Sequence, residues 1–156
     1  MEITVEPTTD EGYIKSVFLN PAIYLPMTDD SCPKEPGSLM DAPIMEVPGF
    51  FMKALVGGVP AGVWWFIWKG NKVEAHTALA ENCRGRRAII ATKKVIEWVF
   101  GNTPAEAITS YAFSDSPAVG WFCRAVGLRA TSTEVWPTTR NGNSVDVTHY
   151  EIQKPI

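Results

Sequence analysis

The residues most able to do chemistry form an arginine-rich turn at Arg84–Arg87, between a predicted strand and an amphipathic helix. Backbone N–H groups at the start of a helix have no intrahelical partner, and the helix dipole adds partial positive charge there. A phosphate or pyrophosphate could accept hydrogen bonds from these amides while the guanidinium groups neutralise its charge. Gly85 would let the backbone approach such a ligand closely. The turn therefore predicts an anion site. The alternative is a solvated basic turn that binds nothing.

Before this turn lie two residues, Glu74 and His76, whose side chains could act as acids or bases. Glu74 and His76 lie two positions apart, which places both side chains on one face of their predicted strand. A histidine ordinarily titrates near neutral pH, so His76 is the better candidate for accepting a proton, with Glu74 second. The structural alternative is a histidine that packs against the sheet with its ring nitrogens satisfied.

The elements around these residues follow from hydrophobic spacing. Lys72–Ala80 is predicted as a strand, and Ala88–Phe100 as a helix because its apolar residues fall on one face. Ser116 followed by Pro117 predicts the start of a second helix. Along the chain the predicted order is β-α-loop-β-β-β-α-β-α-β-β. This order favours an α/β (α+β) fold, with a mixed sheet flanked by helices.

One segment, residues 20–48, differs in character from the rest. It contains six prolines and the acidic pair Asp29 and Asp30, and it is predicted as a long irregular loop with one helical turn near Ser38–Met40. Loops of this length in a compact domain are usually functional lids or disordered. Since too few residues precede it to fold alone, we expect one domain over residues 1–156 with this loop inside it.

Composition excludes several classes of protein. With 156 residues and 46% hydrophobic content, the chain is long enough for a globular core. No apolar run reaches the length of a membrane span, and the N-terminus lacks the pattern of a signal peptide, so we expect a cytoplasmic protein without a membrane partner. The net charge of -3 disfavours nucleic-acid binding. Three cysteines and two histidines form no metal-ligand pattern, so no metal is expected. The sequence leaves open whether the chain is a monomer or a homodimer.

A family resemblance enters at the arginine-rich turn. The stretch from His76 to Ala88 resembles the acyl-CoA-binding motif of the GNAT superfamily, in which a strand leads through an Arg-Gly loop into a helix. Asp115–Leu128 is similar to the second GNAT motif, in which a helix ends in Gly127 followed by a large apolar residue. The resemblance covers most of the chain, and it implies a GNAT-type, mostly antiparallel twisted sheet of about six to seven strands.

The resemblance also implies a function and a set of ligand contacts. The expected activity is N-acetyltransfer from acetyl-CoA, as co-substrate, to an amine of a small molecule or a protein. The family's contacts fall here on the backbone of Leu79 and Ala80 for the acyl group and pantetheine, and on Arg84, Gly85, Arg86, Arg87 and Ala88 for the pyrophosphate.

This sequence departs from the family pattern at four positions. Arg87 and Ile89 occupy the usual glycine positions of the loop, and Ser116, which is expected among the cofactor-binding residues, takes the position of a common asparagine. Cys123 stands where the family commonly has a general-acid tyrosine. A thiol can protonate the departing CoA thiolate, so Cys123 is a third catalytic candidate. The structural alternative is a buried cysteine that packs as a small apolar residue.

These departures support an alternative function. A GNAT-fold protein with little or no activity would act through protein contacts, for example as a virion or assembly component of a phage. The degenerate loop resembles that of small GNAT-like proteins encoded by tailed phages.

Overall fold

One mixed sheet contains all seven strands of the protein, and its edge-to-edge order is β1-β2-β3-β4-β5-β7-β6. The computed structural model describes residues Met1–Ile156. The strands are β1 Ile3–Thr8, β2 Gly49–Val56, β3 Val59–Lys69, β4 Lys72–Leu79, β5 Ala107–Phe113, β6 Arg129–Val135 and β7 Asp146–Gln153. The helices are α1 Glu11–Phe18, α2 Pro21–Met27, α3 Arg86–Asn102 and α4 Pro117–Ala125. The mixed, mostly antiparallel architecture expected from the sequence is confirmed.

Strand β3 lies inside the sheet between β2 and β4. Its run from Ala61 to Trp64 is buried without alternation, as expected for a strand that is covered on both faces. The turn that leads into it contains Gly57 and Gly58, which both adopt left-handed backbone angles.

The two faces of the sheet carry different helices. The larger core lies under α3, whose residues Ala91, Val95 and Val99 are fully buried. On the opposite face, Ile14 and Phe18 of α1 pack in a smaller cluster. Helix α1 begins after Asp10, whose side chain caps it by accepting a hydrogen bond from the Tyr13 amide at 3.1 Å.

Residues 20–48 are more ordered than the sequence analysis predicts. Helix α2 occupies Pro21–Met27 and begins at Asn20, whose side chain accepts a hydrogen bond from the Ala22 amide at 3.0 Å. Two short 3-10 helices follow at Pro36–Leu39 and Ile44–Glu46. The prediction of an irregular loop is therefore wrong for Pro21–Met27, while the helical turn expected near Ser38–Met40 corresponds to the 3-10 helix at Pro36–Leu39. A proline at the first helical position needs no amide partner, and Pro21 starts α2 instead of breaking it.

Strands β4 and β5 diverge. They are the only parallel neighbours in the sheet, and they pair only between Lys72–Glu74 and Ala107–Thr109. Beyond these residues β4 continues along β3 to Leu79, while β5 continues along β7 to Phe113. A gap therefore opens between the two strands at the centre of the sheet.

Candidate active site

The free edge of β4 forms one wall of this gap. The Thr109 and Ser110 hydroxyls donate to the carbonyls of Val73 and Ala75, at 3.5 Å and 3.3 Å, so odd-numbered residues of β4 direct their backbone groups toward β5. Alternate residues of a strand face opposite edges. The amides of Thr77 and Leu79 therefore point into the gap. Ala80 is different, because its amide donates to the Ala61 carbonyl on the β3 side at 2.9 Å.

The arginine-rich turn lies directly after this edge. Helix α3 begins at Arg86, and Gly85 precedes it with a left-handed φ of 57°. The first helical hydrogen bond runs from the Ile89 amide to the Gly85 carbonyl, and the amides of Arg86, Arg87 and Ala88 donate to no protein acceptor. All three arginine side chains of the turn are exposed. The turn thus presents free N–H groups beside mobile positive charge, as an anion site requires.

A cavity of about 230 Å³ occupies the gap between β4 and β5. Its lining comes from both faces of the sheet, because strand residues with opposite side-chain directions contribute. Side chains on the α3 and α4 face include Trp64, Phe66, Thr92, Val95, Ser110 and Cys123. Side chains on the other face include His76, Tyr111 and Phe113, and Met27 of α2 and Arg140 also line the cavity. The cavity therefore crosses the sheet.

His76 and Glu74 interact with each other. His76 Nε2 lies 2.8 Å from Glu74 Oε1, and the imidazole ring lies 5.8 Å from the Tyr111 ring in an edge-on arrangement. The hydrogen bond from His76 lowers the pKa of Glu74 below its usual value, against the opposing effect of burial. An ionised Glu74 can hold the histidine ring in one orientation and one tautomer.

Cys123 and Ser116 both line the cavity from α4 and its start. Cys123 is 4% exposed, and burial raises the pKa of its thiol to about 11, so the thiol keeps its proton at neutral pH. Ser116 precedes α4 as predicted, but its hydroxyl caps no amide of that helix and lies 3.4 Å from an Asp115 oxygen.

Two polar groups of the cavity wall on the α3 side of the sheet have no partner in the protein. Trp64 Nε1 and Thr92 Oγ1 are buried without a hydrogen bond. An unsatisfied buried polar group costs about 1–3 kcal/mol, so such groups are commonly satisfied by a ligand or by water. Their presence favours a ligand with polar atoms on the α3 side of the cavity.

The sequence analysis did not identify Tyr111 and Arg140 as site residues. Tyr111 follows two small polar residues in β5, and burial raises the pKa of its hydroxyl. Arg140 lies in the turn between β6 and β7, where a basic residue gives no signal of its own. Both reach the cavity only because β7 pairs along the whole of β5.

The carboxylates of Asp29 and Asp30 connect the segment of residues 20–48 to another part of the fold. Asp30 accepts hydrogen bonds from the Thr139 hydroxyl at 2.6 Å and from the amides of Asn141 and Gly142, each at 2.9 Å. Asp29 accepts from Trp136 Nε1 at 2.8 Å. Both carboxylates therefore bind the β6–β7 hairpin, and neither lines the cavity.

Comparison with solved structures identifies the fold. Spermidine N-acetyltransferase from Vibrio cholerae, in complex with CoA and spermine, matches with a TM-score of 0.77 and 15% identity, over 97% of this chain and 95% of that chain. Ribosomal-protein-S5-alanine acetyltransferase from Vibrio fischeri matches with a TM-score of 0.74 and 12% identity, over 99% and 94%. A GNAT-family acetyltransferase from Streptococcus pneumoniae matches with a TM-score of 0.70 and 12% identity, over 97% and 99%.

The chain therefore has the GNAT fold. No family model and no curated protein matches the sequence, so the likeness lies in three-dimensional structure. None of the helices is both long enough and apolar enough to cross a bilayer. No group of three or more His, Cys, Asp or Glu side chains is arranged to hold a metal ion.

Proposed function

We propose that the protein transfers an acetyl group from acetyl-CoA to an amine. The observation that carries the proposal is the divergence of β4 and β5, which leaves the β5-facing edge of β4 unpaired at Thr77, which lines the cavity, and at Leu79, just before the arginine-rich turn. Free strand amides in a cavity are suitable donors to an oxyanion. Free helix amides with arginines nearby are suitable donors to a pyrophosphate.

The pyrophosphate and the thioester carbonyl of acetyl-CoA each have hydrogen-bond donors in this arrangement. The pyrophosphate would bind the amides of Arg86, Arg87 and Ala88, with Arg84 adding charge. The thioester carbonyl would accept a hydrogen bond from the Leu79 amide. Ala80, expected from the resemblance to share that role, already donates its amide to Ala61. We therefore assign the carbonyl contact to Leu79 alone.

The chemistry is a direct displacement. The amine nitrogen attacks the thioester carbon, and the negative charge that develops on the carbonyl oxygen is stabilised by the Leu79 amide. Collapse of the tetrahedral intermediate breaks the C–S bond and releases CoA as a thiolate. His76, held by Glu74, accepts the proton lost by the amine, and Cys123 donates a proton to the departing sulfur.

A second candidate function is supported by the departures from the family pattern. Arg87 and Ile89 place side chains at the start of α3 where the family has glycines. Cys123 stands at the position of the family's general-acid tyrosine. A GNAT-fold protein with a weakened site would act through protein contacts. This candidate predicts no thermal stabilisation by acetyl-CoA and no acceptor-dependent release of CoA.

The experiment that separates the two functions has two readouts. Acetyl-CoA at a hundred times its dissociation constant should stabilise the fold by about 2.7 kcal/mol, seen as a rise in melting temperature. CoA release in the presence of an amine panel should then exceed release without acceptor. Stabilisation without release would support a binding protein, and the absence of both would refute the proposal.

A further inference from the structure

A buried arginine lines the side of the cavity opposite α3 and α4. Arg140 is 6% exposed, and its guanidinium group stacks on the Phe113 ring with 4.2 Å between Cζ and the ring centroid. Lys, Arg, Asp and Glu are almost never this buried unless their charges are paired. The partners of Arg140 therefore indicate what the cavity can bind.

The protein satisfies only part of this guanidinium. Nη2 donates to the Pro26 carbonyl of α2 at 2.9 Å, and Nε lies 3.2 Å from an Asp115 carboxylate oxygen without forming a hydrogen bond. Nη1 is buried and has no partner at all. An arginine that served only to join α2 to the hairpin would not need an unpartnered nitrogen on a side chain that lines a cavity. An unsatisfied charged donor in such a place favours an anion as its partner.

Resting on the acetyltransfer proposed above, we propose that the acceptor amine carries a carboxylate and that Arg140 binds it. The amine would lie at the His76–Glu74 pair, and the carboxylate would accept hydrogen bonds from Arg140 Nη1. Tyr111 lies between the two ends, with its ring 5.8 Å from His76 and 5.6 Å from Phe113.

The spacing of these groups limits the acceptor. Tyr111 and Phe113 are two residues apart on β5, which corresponds to roughly 7 Å along a strand. We therefore expect an α-amino acid to be too short to reach from His76 to Arg140. The site therefore fits an amine whose carboxylate is several bonds away, and a ω-amino acid or a short peptide has this form.

A matched pair of acceptors tests this assignment. 6-Aminohexanoate and 6-aminohexanamide have the same length and the same amine, and they differ in the charge at the far end. Hydrogen bonds to a charged group contribute about 1.5–3 kcal/mol, so the carboxylate should be preferred by about 10- to 100-fold in kcat/KM, measured as CoA release. Equal kcat/KM values for the two acceptors would overturn the proposal.

Two substitutions move this ratio in opposite directions. Arg140→Gln should remove most of the preference for the carboxylate. Asp115→Asn should increase the preference, because the competing carboxylate 3.2 Å from Arg140 Nε loses its charge while the residue keeps its shape. Asp115 is partly exposed, so this variant gives a result even where Arg140→Gln fails to fold. A ratio that falls or stays the same in Asp115→Asn would contradict the assignment.

Thermal melting separates failure of this site from failure of acetyltransfer. A protein without acetyltransferase activity shows no acceptor-dependent CoA release. If Arg140 binds the carboxylate, 6-aminohexanoate would still raise the melting temperature of that protein more than 6-aminohexanamide. That difference should disappear in Arg140→Gln. Equal melting temperatures with both compounds, in a protein that does bind acetyl-CoA, would overturn the carboxylate site and leave the acetyltransfer proposal intact.

Discussion

Glu74 Oε1 lies 2.8 Å from His76 Nε2 at the point where β4 and β5 stop pairing. The hydrogen bond lowers the pKa of Glu74, so the carboxylate is ionised at neutral pH and accepts a hydrogen bond from Nε2. In the neutral ring this leaves the lone pair on Nδ1. The pair thus forms a base that the sheet holds in a fixed orientation, beside the cavity that crosses it.

His76→Gln tests this base. Loss of a general base typically lowers turnover by about 10²- to 10⁴-fold, and the substitution should leave the affinity for acetyl-CoA nearly unchanged because no contact with acetyl-CoA is assigned to His76. Turnover is measured as CoA release, and affinity as the shift in melting temperature. His149→Gln is the matched control, since His149 pairs with Glu134 at 2.9 Å and does not line the cavity. Equal turnover in the two variants would contradict the role of His76.

Glu74 also makes stability depend on pH. Its folded-state pKa is lower than its usual value of 4.5, first through the hydrogen bond from His76 and further through the charges of His76, Lys69 and His149. The resulting stabilisation is complete above that usual value and is lost as the pH falls through the folded-state pKa. Urea unfolding of the wild type and of Glu74→Gln should therefore differ by a constant amount above the usual pKa of Glu74, and the two should converge only once the pH has fallen below its lowered folded-state pKa. A difference that stays constant through that fall in pH would show that the carboxylate charge does not contribute.

The free amides at the start of α3 lead to a prediction about CoA. Replacing Arg84 and Arg86 together by Glu puts negative charge where the pyrophosphate is proposed to bind, so the stabilisation by acetyl-CoA should be lost. Both side chains are exposed, so the unliganded melting temperature should change little. Lys93→Glu with Lys94→Glu is the matched control, because it makes the same charge change at exposed positions on the same helix. An unchanged acetyl-CoA shift in the Arg84/Arg86 variant would refute this placement of the pyrophosphate.

The sequence predicts those parts of the fold that depend on local pattern. The apolar face of α3 and the start of α4 at Ser116 and Pro117 are both local signals, and both correspond to observed elements. Helix α2 also has local signals, Asn20 as N-cap and Pro21 at the first helical position. The many prolines that follow favour an irregular loop, so the sequence pattern does not predict this helix.

The cavity itself could not be predicted in this way. Tyr111 and Arg140 lie 29 positions apart in the sequence, and they come to one cavity through the pairing of β7 with β5 and through the turn after β6. The role of Asp30 likewise depends on a hairpin more than a hundred residues away. Contacts of this kind depend on which residues of paired strands lie opposite each other, and a single sequence does not predict that register.

The contacts of Asp30 predict where the segment of residues 20–48 is held. Three donors from the β6–β7 hairpin bind its carboxylate and lower its pKa. Asp30→Ala should release the segment and speed its cleavage in limited proteolysis, while the α3 helix stays protected. Asp41→Ala is the control, since Asp41 is exposed in the same segment and accepts no side-chain hydrogen bond. Equal cleavage rates in the two variants would show that Asp30 does not hold the segment.

Cys123 is the proposed donor of the proton that the leaving CoA thiolate receives. Burial raises the pKa of the Cys123 thiol to about 11, so the thiol is protonated at neutral pH and can donate when the C–S bond breaks. Serine is nearly isosteric but far less acidic, so Cys123→Ser should lower turnover by about 10²- to 10⁴-fold with little change in CoA affinity, and Cys123→Ala should match it.

Tyr111 is the competing donor, because its hydroxyl belongs to a side chain that lines the same cavity. Tyr111→Phe removes only that hydroxyl and keeps the ring against His76, so we expect turnover to fall much less than in Cys123→Ser. Single-turnover CoA release at saturating acetyl-CoA distinguishes the two donors, since it measures the chemical step without product release. A large loss in Tyr111→Phe together with full activity in Cys123→Ala would transfer the acid role to Tyr111 and return Cys123 to the packing of α4.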